Sequence, residues 1–251
     1  MSESEIEIEA DRLEREWETA LRRYAEILAS YPAARLTGTA DAEEIYGLHI
    51  RDCLHSVPLL PRGDGRGAGQ GSELKVVDVG SGGGLPGMVW AVCRPDLRVT
   101  LLDSVGKKCR AMEEAAAELG LANVSVIRSR CEEYAADRDA RESCAFAAAR
   151  AVAHAGVLAE YLSPLVSPGG RLAAFKGPRG EEELREVGNR WAALGLSRPR
   201  LIPYDPRVRR PGPSPRSYFF AVWEKDEPCP PTSPRRPGLA RTKPWWSTPR
   251  G

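Results

Sequence analysis

Five glycines fall between positions 80 and 87 of the segment VVDVGSGGGLPG, residues 76–87, directly after an apolar run that carries Asp78. Glycine has no Cβ, so a loop rich in glycine lets the backbone come close to a bound ligand. A tight turn alone needs fewer glycines than this. The loop therefore predicts a site that binds a nucleotide or nucleoside at the end of a buried strand.

Two classes of cofactor are compatible with this loop. From Gly82 onward, GGGLPG matches the G-x-G-x-x-G pattern of dinucleotide-binding proteins, so a nicotinamide oxidoreductase is one interpretation. Asp78 lies two residues before Gly80, where a carboxylate repels a pyrophosphate and suits the α-ammonium group of S-adenosyl-L-methionine. Asp103, at the end of the next predicted strand, suits the ribose of either cofactor. Asp78 therefore favours S-adenosylmethionine.

Short apolar runs that alternate with helical stretches must position this loop. The pattern predicts helices near residues 86–93, 106–119, 153–165 and 180–194, and strands at 75–79, 98–103, 123–128, 144–149, 171–176 and 217–224. The 144–149 segment is so rich in alanine that a helix fits it nearly as well. This alternation is typical of an α/β fold, in which helices cover both faces of a parallel sheet.

The chain divides into four predicted parts. Residues 1–60 form an N-terminal helical extension, with an amphipathic helix over 5–31 and a second helix from Asp41 towards Leu54. Residues 61–72 form a flexible, glycine-rich connector, and residues 73–225 form the cofactor-binding domain. Residues 226–251 form a basic, proline-rich tail, which we expect to be extended unless it is bound to a partner.

Composition and charge narrow the function classes. The chain has 42% apolar and 28% charged residues, lacks a long apolar run and has no C-x-x-C pair among six scattered cysteines. These features argue against a membrane span, a disulfide framework and a zinc site, and favour the reducing cytoplasm. Residues 1–60 carry a net charge of −7 and residues 207–251 a net charge of +7. The basic end is compatible with nucleic-acid binding and equally with a solubilising tail.

Four segments resemble one known family. Residues 76–134, HIRDCL at 49–54, ARAVAHAGVLAEYLSPLVSPGGRLAAFKG at 149–177 and SPRRPGLARTKP at 233–244 are similar to the RsmG (GidB) family of bacterial guanine-N7 methyltransferases. The family acts on small-subunit ribosomal RNA. The resemblance runs from about Leu21 to Pro244, and the glycine loop and the tail are its most specific parts.

The resemblance implies a Rossmann-like class I methyltransferase fold. Its sheet would have seven mostly parallel strands with the last one antiparallel, behind an N-terminal helical extension. The cofactor would be S-adenosyl-L-methionine, and the methyl acceptor a guanine N7 in the decoding-region loop of 16S rRNA. The substrate would be that rRNA within the small ribosomal subunit or its precursor. A cytoplasmic monomer that needs neither a metal nor a membrane is expected.

The resemblance also assigns residues to the cofactor. Gly80 and Leu85 would line the pocket, Gly82 and Gly84 would permit close approach, and Asp103 would hold the ribose. The other expected cofactor residues are Asp78, Cys131, Glu132 and Arg150. Cys131 and Glu132 match the pair that flanks the adenine, and Arg150 matches an arginine near the methyl donor and the RNA entrance. Arg150 would act by positioning, because guanine N7 has a free lone pair and needs no general base.

Basic residues of the second half are the predicted RNA contacts: Lys176, Arg207, Arg209, Arg210, Arg216, Arg235 and Arg236, with Arg241 and Lys243 beside them. Trp245 and Trp246 would either stack on nucleobases or pack back onto the domain. His49 and Asp52 would either contact substrate or form a helix-packing pair. A methyltransferase with another RNA or protein substrate, an oxidoreductase and a non-catalytic RNA-binding module remain alternatives.

Overall fold

A single mixed sheet organises the chain. The fold is given by a computed structural model that describes residues 2–31, 36–62, 74–206 and 218–247. Within those ranges, seven strands follow the order β3-β2-β1-β4-β5-β7-β6. They are β1 (Leu74–Val79), β2 (Leu97–Asp103), β3 (Val124–Arg128), β4 (Cys144–Arg150), β5 (Val166–Lys176), β6 (Arg200–Pro203) and β7 (Phe219–Glu224). The predicted α/β, Rossmann-like fold is confirmed.

Strand direction places the ligand-binding edge. Strands β1 to β5 pair in parallel, whereas β7 is antiparallel to both β5 and β6. The chain moves outward from β1 through β2 to β3 and then returns to the other side of β1 with β4. The order therefore reverses between β1 and β4, and ligands of such sheets bind at the carboxyl ends of the strands beside that point.

The alanine-rich segment forms the central strand β4. Ala147, Ala148 and Ala149 are fully buried, because helices cover both faces of the sheet at this position. Small side chains let these layers pack closely, and tertiary burial overrides the helix propensity of alanine. The predicted strand at 144–149 is therefore confirmed. Strand β6 was not predicted; it is only four residues long and includes Pro203.

The N-terminal helices pack directly on the sheet domain. Helix α1 (Glu3–Ala29) begins with a capping box formed by Ser2 and Glu5. A helical stretch follows, made of α2 (Ala42–Ile45), a π-helical turn (Tyr46–Ile50) and α3 (Arg51–Leu54). As predicted, Asp41 caps this stretch, and its carboxylate accepts a hydrogen bond from the backbone N–H of Glu44 at 2.8 Å. The buried face of these helices belongs to the same core as Trp90 and Phe146.

Within the described residues, five further helices cover the two faces of the sheet: α4 (Gly87–Cys93), α5 (Gly106–Glu118), α6 (Cys131–Tyr134), α7 (Ala155–Leu162) and α8 (Gly180–Val187). A second core lies on the face opposite to α1 and contains Trp191 and Trp223. The predicted helix at 180–194 is wrong in its second half. Gly188 adopts a φ of +63°, which ends α8, and a short 3-10 turn follows at Trp191–Leu194.

The described part of the tail packs onto the domain, so the predicted extended conformation is wrong for residues 226–247. Cys229, Ser233 and Trp246 are buried, and a short helix α9 (Leu239–Thr242) forms. The Arg141 guanidinium donates hydrogen bonds to the backbone carbonyls of Cys229, Pro230 and Ser233 at 2.6–3.0 Å. These bonds attach a segment that has little regular structure of its own.

The composition argues against three features: a membrane span, a zinc site and a disulfide framework. None of the helices in the described ranges is both long enough and apolar enough to cross a membrane. The same residues contain no cluster of three or more His, Cys, Asp or Glu side chains that could hold a metal ion. All six cysteines are buried free thiols.

Candidate cofactor crevice and neighbouring cavity

The glycine loop follows β1 and wraps around the carboxyl end of β2. The backbone N–H groups of Gly80 and Ser81 both donate to the carbonyl of Leu102, at 2.8 and 3.1 Å. Gly84 has a φ of +86°, and a Cβ there would lie 2.5 Å from Met88 Cγ and 2.6 Å from the Tyr24 hydroxyl. That hydroxyl donates to the carbonyl of Gly83, so helix α1 holds the loop from behind.

Asp103 ends β2 and joins two loops. One oxygen of its carboxylate accepts from the N–H of Gly82 at 3.0 Å, and the other accepts from the N–H of Val105 at 2.9 Å. A carboxylate has about four lone-pair positions, so acceptor capacity remains for a ligand. The residue is 7% exposed and faces an open crevice.

This cofactor crevice has a volume of about 500 Å³ and lies at the carboxyl ends of β1, β2 and β3. It brings together four of the predicted cofactor residues: Gly80, Asp103, Cys131 and Glu132. Its outer wall comes from the tail, which sequence reasoning did not assign to the cofactor: Gly238, Arg241 and Thr242. The resemblance of residues 233–244 to the family tail was the only signal that could have pointed there.

Cys131 and Glu132 stand at the start of α6, between the sheet and the tail. The Glu132 carboxylate is 6% exposed and accepts from the N–H of Gly238 at 2.9 Å. The Cys131 thiol donates to the carbonyl of Tyr161 at 3.2 Å. Burial, with the charge of Glu132, raises the pKa of this thiol far above its ordinary value. Cys131 therefore shapes the crevice and does not act as a nucleophile.

The other predicted loop residues do not line the crevice. Gly82 and Gly84 belong to the loop, and Gly82 contacts Asp103 through its N–H. The Leu85 side chain is 5% exposed and packs into the core beside α1 and α4. Their part in the site is to set the path of the loop.

Asp78 requires a correction. The residue is fully buried, and one carboxylate oxygen accepts from the N–H of Gly87 at 2.9 Å, where α4 begins. The second oxygen has no hydrogen-bond partner, and Asp78 does not line the crevice. The predicted contact with a cofactor ammonium group is thus replaced by a structural contact at the start of α4. Burial raises the pKa of the Asp78 carboxyl to about 7 from its ordinary 3.8.

This raised pKa predicts an unusual pH dependence of stability. The folded state binds the Asp78 proton more tightly than the unfolded state does. The stability that this carboxyl contributes is therefore complete below pH 3.8 and is lost as the pH rises to about 7. We expect Asp78→Asn to gain stability relative to the natural chain over this range, by on the order of 2–4 kcal/mol. Urea denaturation at pH 4–8 measures the difference.

Asp96→Asn is the control for that experiment. Hydrogen bonding by Arg94 lowers the pKa of Asp96, so the stability that this carboxyl contributes is present above its ordinary value of 3.8 and is lost only at lower pH. The difference between Asp96→Asn and the natural chain should therefore stay nearly constant between pH 4 and 8. An Asp78→Asn difference that stays constant between pH 4 and 8 contradicts the burial argument.

Arg150 ends β4 and lies beside the crevice without lining it. Its Nη1 donates to Asp52 Oδ2 at 3.0 Å, although the two residues are 98 positions apart in the chain. Both line a second opening of about 410 Å³, which we call the aromatic cavity; its walls include Phe175, Tyr204 and Tyr218. His49 lines it too, so both residues of the predicted His49–Asp52 pair reach this cavity. Sequence reasoning did not find its aromatic walls.

The residues after β4 separate the two openings. Ala151 lines the aromatic cavity, and Val152 lines the cofactor crevice. Ala151 has a φ of +57°, an uncommon conformation for a residue with a side chain. Backbone held in this way is often found at functional sites. One turn of chain therefore lies between a candidate cofactor site and a candidate substrate site.

Two predicted RNA contacts, Lys176 and Arg235, are paired with carboxylates inside the protein, although Lys176 also lines the aromatic cavity. The Lys176 ammonium is 6% exposed and donates to Glu183 at 2.6 Å and to the carbonyl of Ala153 at 2.9 Å. Arg235 donates to Glu160, whose side chain is only 2% exposed, at 2.6 and 2.7 Å. In both cases a neighbouring carboxylate neutralises the charge inside the protein, which leaves little for a phosphate.

The remaining basic residues divide into two groups. Arg236 is exposed, and Arg241 lines the crevice and donates to the carbonyl of Val152 at 3.2 Å. Four predicted contacts lie outside the described residues: Arg207, Arg209, Arg210 and Arg216.

The two adjacent tryptophans pack back onto the domain, which was one of the two predicted alternatives. Trp246 is 8% exposed and stacks on His154, with ring centroids 4.8 Å apart. The Trp245 indole N–H donates to the carbonyl of Gly156 at 2.8 Å. These contacts fix the end of the tail against α7.

The sequence of this chain is similar to those of known proteins. The model of the family described as GidB, rRNA small subunit methyltransferase G, matches residues 18–202. The chain belongs to this family. A ribosomal RNA small subunit methyltransferase G of Rubrobacter xylanophilus is 37% identical, over 92% of this chain and 84% of that protein. The enzyme of the same name from Moorella thermoacetica is 32% identical, over 89% and 88%.

Among solved structures, a 16S rRNA (adenine(1408)-N(1))-methyltransferase from Catenulisporales acidiphilia matches with 19% identity and a TM-score of 0.49, over 62% of this chain and 90% of that one. The family membership expected from the glycine loop and the tail is confirmed by the family match and the relatives.

Proposed function

We propose that this protein transfers a methyl group from S-adenosyl-L-methionine to N7 of a guanine in the decoding-region loop of 16S rRNA. The observation that carries the proposal is the pairing of two openings at one edge of the sheet. The cofactor crevice contains Gly80, Asp103 and Glu132, and a substrate-sized cavity lies on the other side of Ala151 and Val152. Membership of the methyltransferase G family supports it.

The residues of the crevice fit this methyl donor. Asp103 keeps acceptor positions for two ribose hydroxyls beyond its bonds to Gly82 and Val105. Glu132 accepts from the N–H of Gly238 and interacts with the Tyr161 side chain, and its carboxylate keeps further acceptor positions for an adenine amino group. When bound, S-adenosylmethionine supplies an electrophilic methyl group on a positively charged sulfur.

The preference for S-adenosylmethionine over a nicotinamide dinucleotide does not rest on the charge of Asp78. Asp78 does not face the crevice, so its charge no longer argues against a pyrophosphate. Family membership favours the methyl donor instead. Isothermal calorimetry separates the two, because binding of NAD without binding of S-adenosylmethionine would contradict the proposal.

The protein's part in the reaction is to bind and to align. Guanine N7 carries an in-plane lone pair that is unprotonated at neutral pH, so a general base has no proton to remove. Rate then depends on holding the base and the methyl donor in line. Tyr24 and Asp103 fix the loop from opposite sides, by bonds to Gly83 and Gly82. Arg150, held by Asp52, keeps its charge at the end of β4.

The proposal extends to the partner and its compartment. The substrate is 16S rRNA within the small ribosomal subunit or its precursor, and the protein acts on it as a cytoplasmic monomer. The exposed Arg236 and the basic residues at positions 207, 209, 210 and 216 supply positive charge for phosphates. The affinity of the protein for the small ribosomal subunit should therefore fall steeply as the salt concentration rises.

A map of methylated nucleosides tests the proposal in cells. Mass spectrometry of 16S rRNA should find that N7-methylguanosine disappears from the decoding-region loop when the gene is deleted, and returns when it is restored. Unchanged N7-methylguanosine in the deletion strain contradicts the proposal. Loss of methylation from another RNA or a protein would instead support the alternative substrate classes.

A further inference from the structure

The aromatic cavity lies beside the cofactor crevice and has the walls of a base-binding site. Its volume is about 410 Å³, which is within the range of small-ligand pockets. Tyr204 is 3% exposed and stacks on Phe220, with centroids 4.3 Å apart and planes at 17°. Phe175 packs edge-on against Phe220, and Tyr218 lies on the open side. Aromatic walls fixed in this way suit the flat face of a nucleobase.

The polar lining of the cavity includes the ion pair between Asp52 and Arg150, with His49 and Lys176 beside it. The Asp52 and Arg150 side chains are 13% and 18% exposed, so each retains a surface that faces the opening. Arg150 uses one of its five N–H groups on Asp52, which leaves donors for a ligand. The Tyr204 hydroxyl also interacts with Asp52, and the carboxylate retains acceptor positions beyond its contacts with Arg150 and Tyr204. Together the pair offers donors from Arg150 next to acceptors from Asp52.

We propose that the aromatic cavity binds the target guanine, with Asp52 accepting from N1–H and the N2 amino group while Arg150 donates to O6. The inference rests on the proposed function for the identity of the base. The Watson–Crick edge of guanine has one acceptor, O6, followed by two donors, N1–H and the N2 amino group. Arg150 and Asp52 would complement this edge with a donor and two acceptors, as cytosine does in a base pair. Adenine would place its amino group against the Arg150 donors and a C–H against Asp52, so the site discriminates between purines.

The orientation agrees with the chemistry. O6 and N7 lie on the same side of the guanine ring system. A base whose O6 meets Arg150 therefore turns N7 towards the end of β4. There, Ala151 lines the cavity and Val152 lines the cofactor crevice.

Nucleotide selectivity tests the assignment without methyl transfer. Saturation-transfer NMR on the full chain should detect guanosine 5′-monophosphate more strongly than inosine 5′-monophosphate, which lacks the N2 amino group, and adenosine 5′-monophosphate least. Asp52→Asn should remove this ranking, because one acceptor of the carboxylate becomes a donor. Absence of the ranking in the natural chain, or its persistence in the variant, overturns the inference.

The methyl-transfer arm uses undermethylated small ribosomal subunits. Asp52→Asn should lower kcat/KM about 10- to 100-fold while the Kd for S-adenosylmethionine stays within about twofold. Glu14→Gln is the matched control. Asp52 interacts with Arg150 and Tyr204, and Glu14 similarly contacts one arginine and one tyrosine, Arg51 and Tyr46, but lies outside the cavity. We expect this control to keep the full rate.

The two arms separate the possible failures. A natural chain that methylates particles, together with an Asp52→Asn variant of equal kcat/KM, overturns the cavity assignment and leaves the proposed function intact. A natural chain that ranks the nucleotides as expected, with the ranking lost in the variant, supports the cavity even if no particle is methylated. Only the proposed function then fails.

Discussion

Replacing Arg235 with alanine is expected to lower the free energy of unfolding by about 3–5 kcal/mol. The reason is that Glu160 is 2% exposed and would be left as a buried carboxylate without its ion-pair partner. Urea denaturation of the full chain measures the change. An unchanged stability with a lower affinity for RNA would contradict this account and restore the RNA contact that the sequence predicted.

Two controls define the Arg235 result. Arg12→Ala removes an arginine from exposed pairs on α1 and should change stability by less than about 1 kcal/mol. The double variant Arg235→Leu with Glu160→Leu removes both charges and should recover much of the loss.

The same substitution should also weaken cofactor binding, although Arg235 does not line the crevice. Gly238 donates to Glu132, and Arg241 and Thr242 line the crevice, only a few residues further along the tail. Loosening the tail at Arg235 should therefore raise the Kd for S-adenosylmethionine. An unchanged Kd would mean that the tail is not part of the cofactor site.

Replacing Asp103 with asparagine is expected to raise the Kd for S-adenosylmethionine about 10- to 100-fold, which corresponds to the loss of hydrogen bonds to a charged group. Asparagine keeps one acceptor and the shape of the side chain, so its remaining oxygen can still bond to Gly82 or Val105. Isothermal calorimetry measures the affinity.

Asp96→Asn is the matched control for Asp103. Asp96 lies just before β2, so it stands at the opposite end of that strand from Asp103. The control should leave the Kd unchanged. An Asp103→Asn variant that binds as tightly as the natural chain would show that the ribose lies elsewhere.

Local sequence patterns predicted the scaffold well, because they report directly on backbone and burial. The apolar runs located six of the seven strands, and the five closely spaced glycines located the loop between β1 and α4. The alanines of β4 fit a helix nearly as well as a strand, because a local sequence pattern does not show the layers that bury them. The short strand β6 contains too few apolar residues to give a period.

The partners of charged residues could not be predicted from local patterns. Lys176 and Arg235 are basic residues in basic or exposed-looking contexts, yet each meets a carboxylate that is distant in the chain or on the next element. Asp78 stands directly before the glycine loop, as in the expected motif, but its carboxylate points into the core and accepts a hydrogen bond from Gly87. The pairing of Asp52 with Arg150 requires the N-terminal helices to pack on the edge of the sheet.

In vitro methyl transfer tests the central claim most directly. The purified chain is incubated with isotopically labelled S-adenosylmethionine and small ribosomal subunits from a strain that lacks the gene, and the 16S rRNA nucleosides are mapped by mass spectrometry. We predict label in N7-methylguanosine at one guanine of the decoding-region loop. Label on a different nucleoside, or none on either particles or free rRNA from a chain that binds the donor, would contradict it.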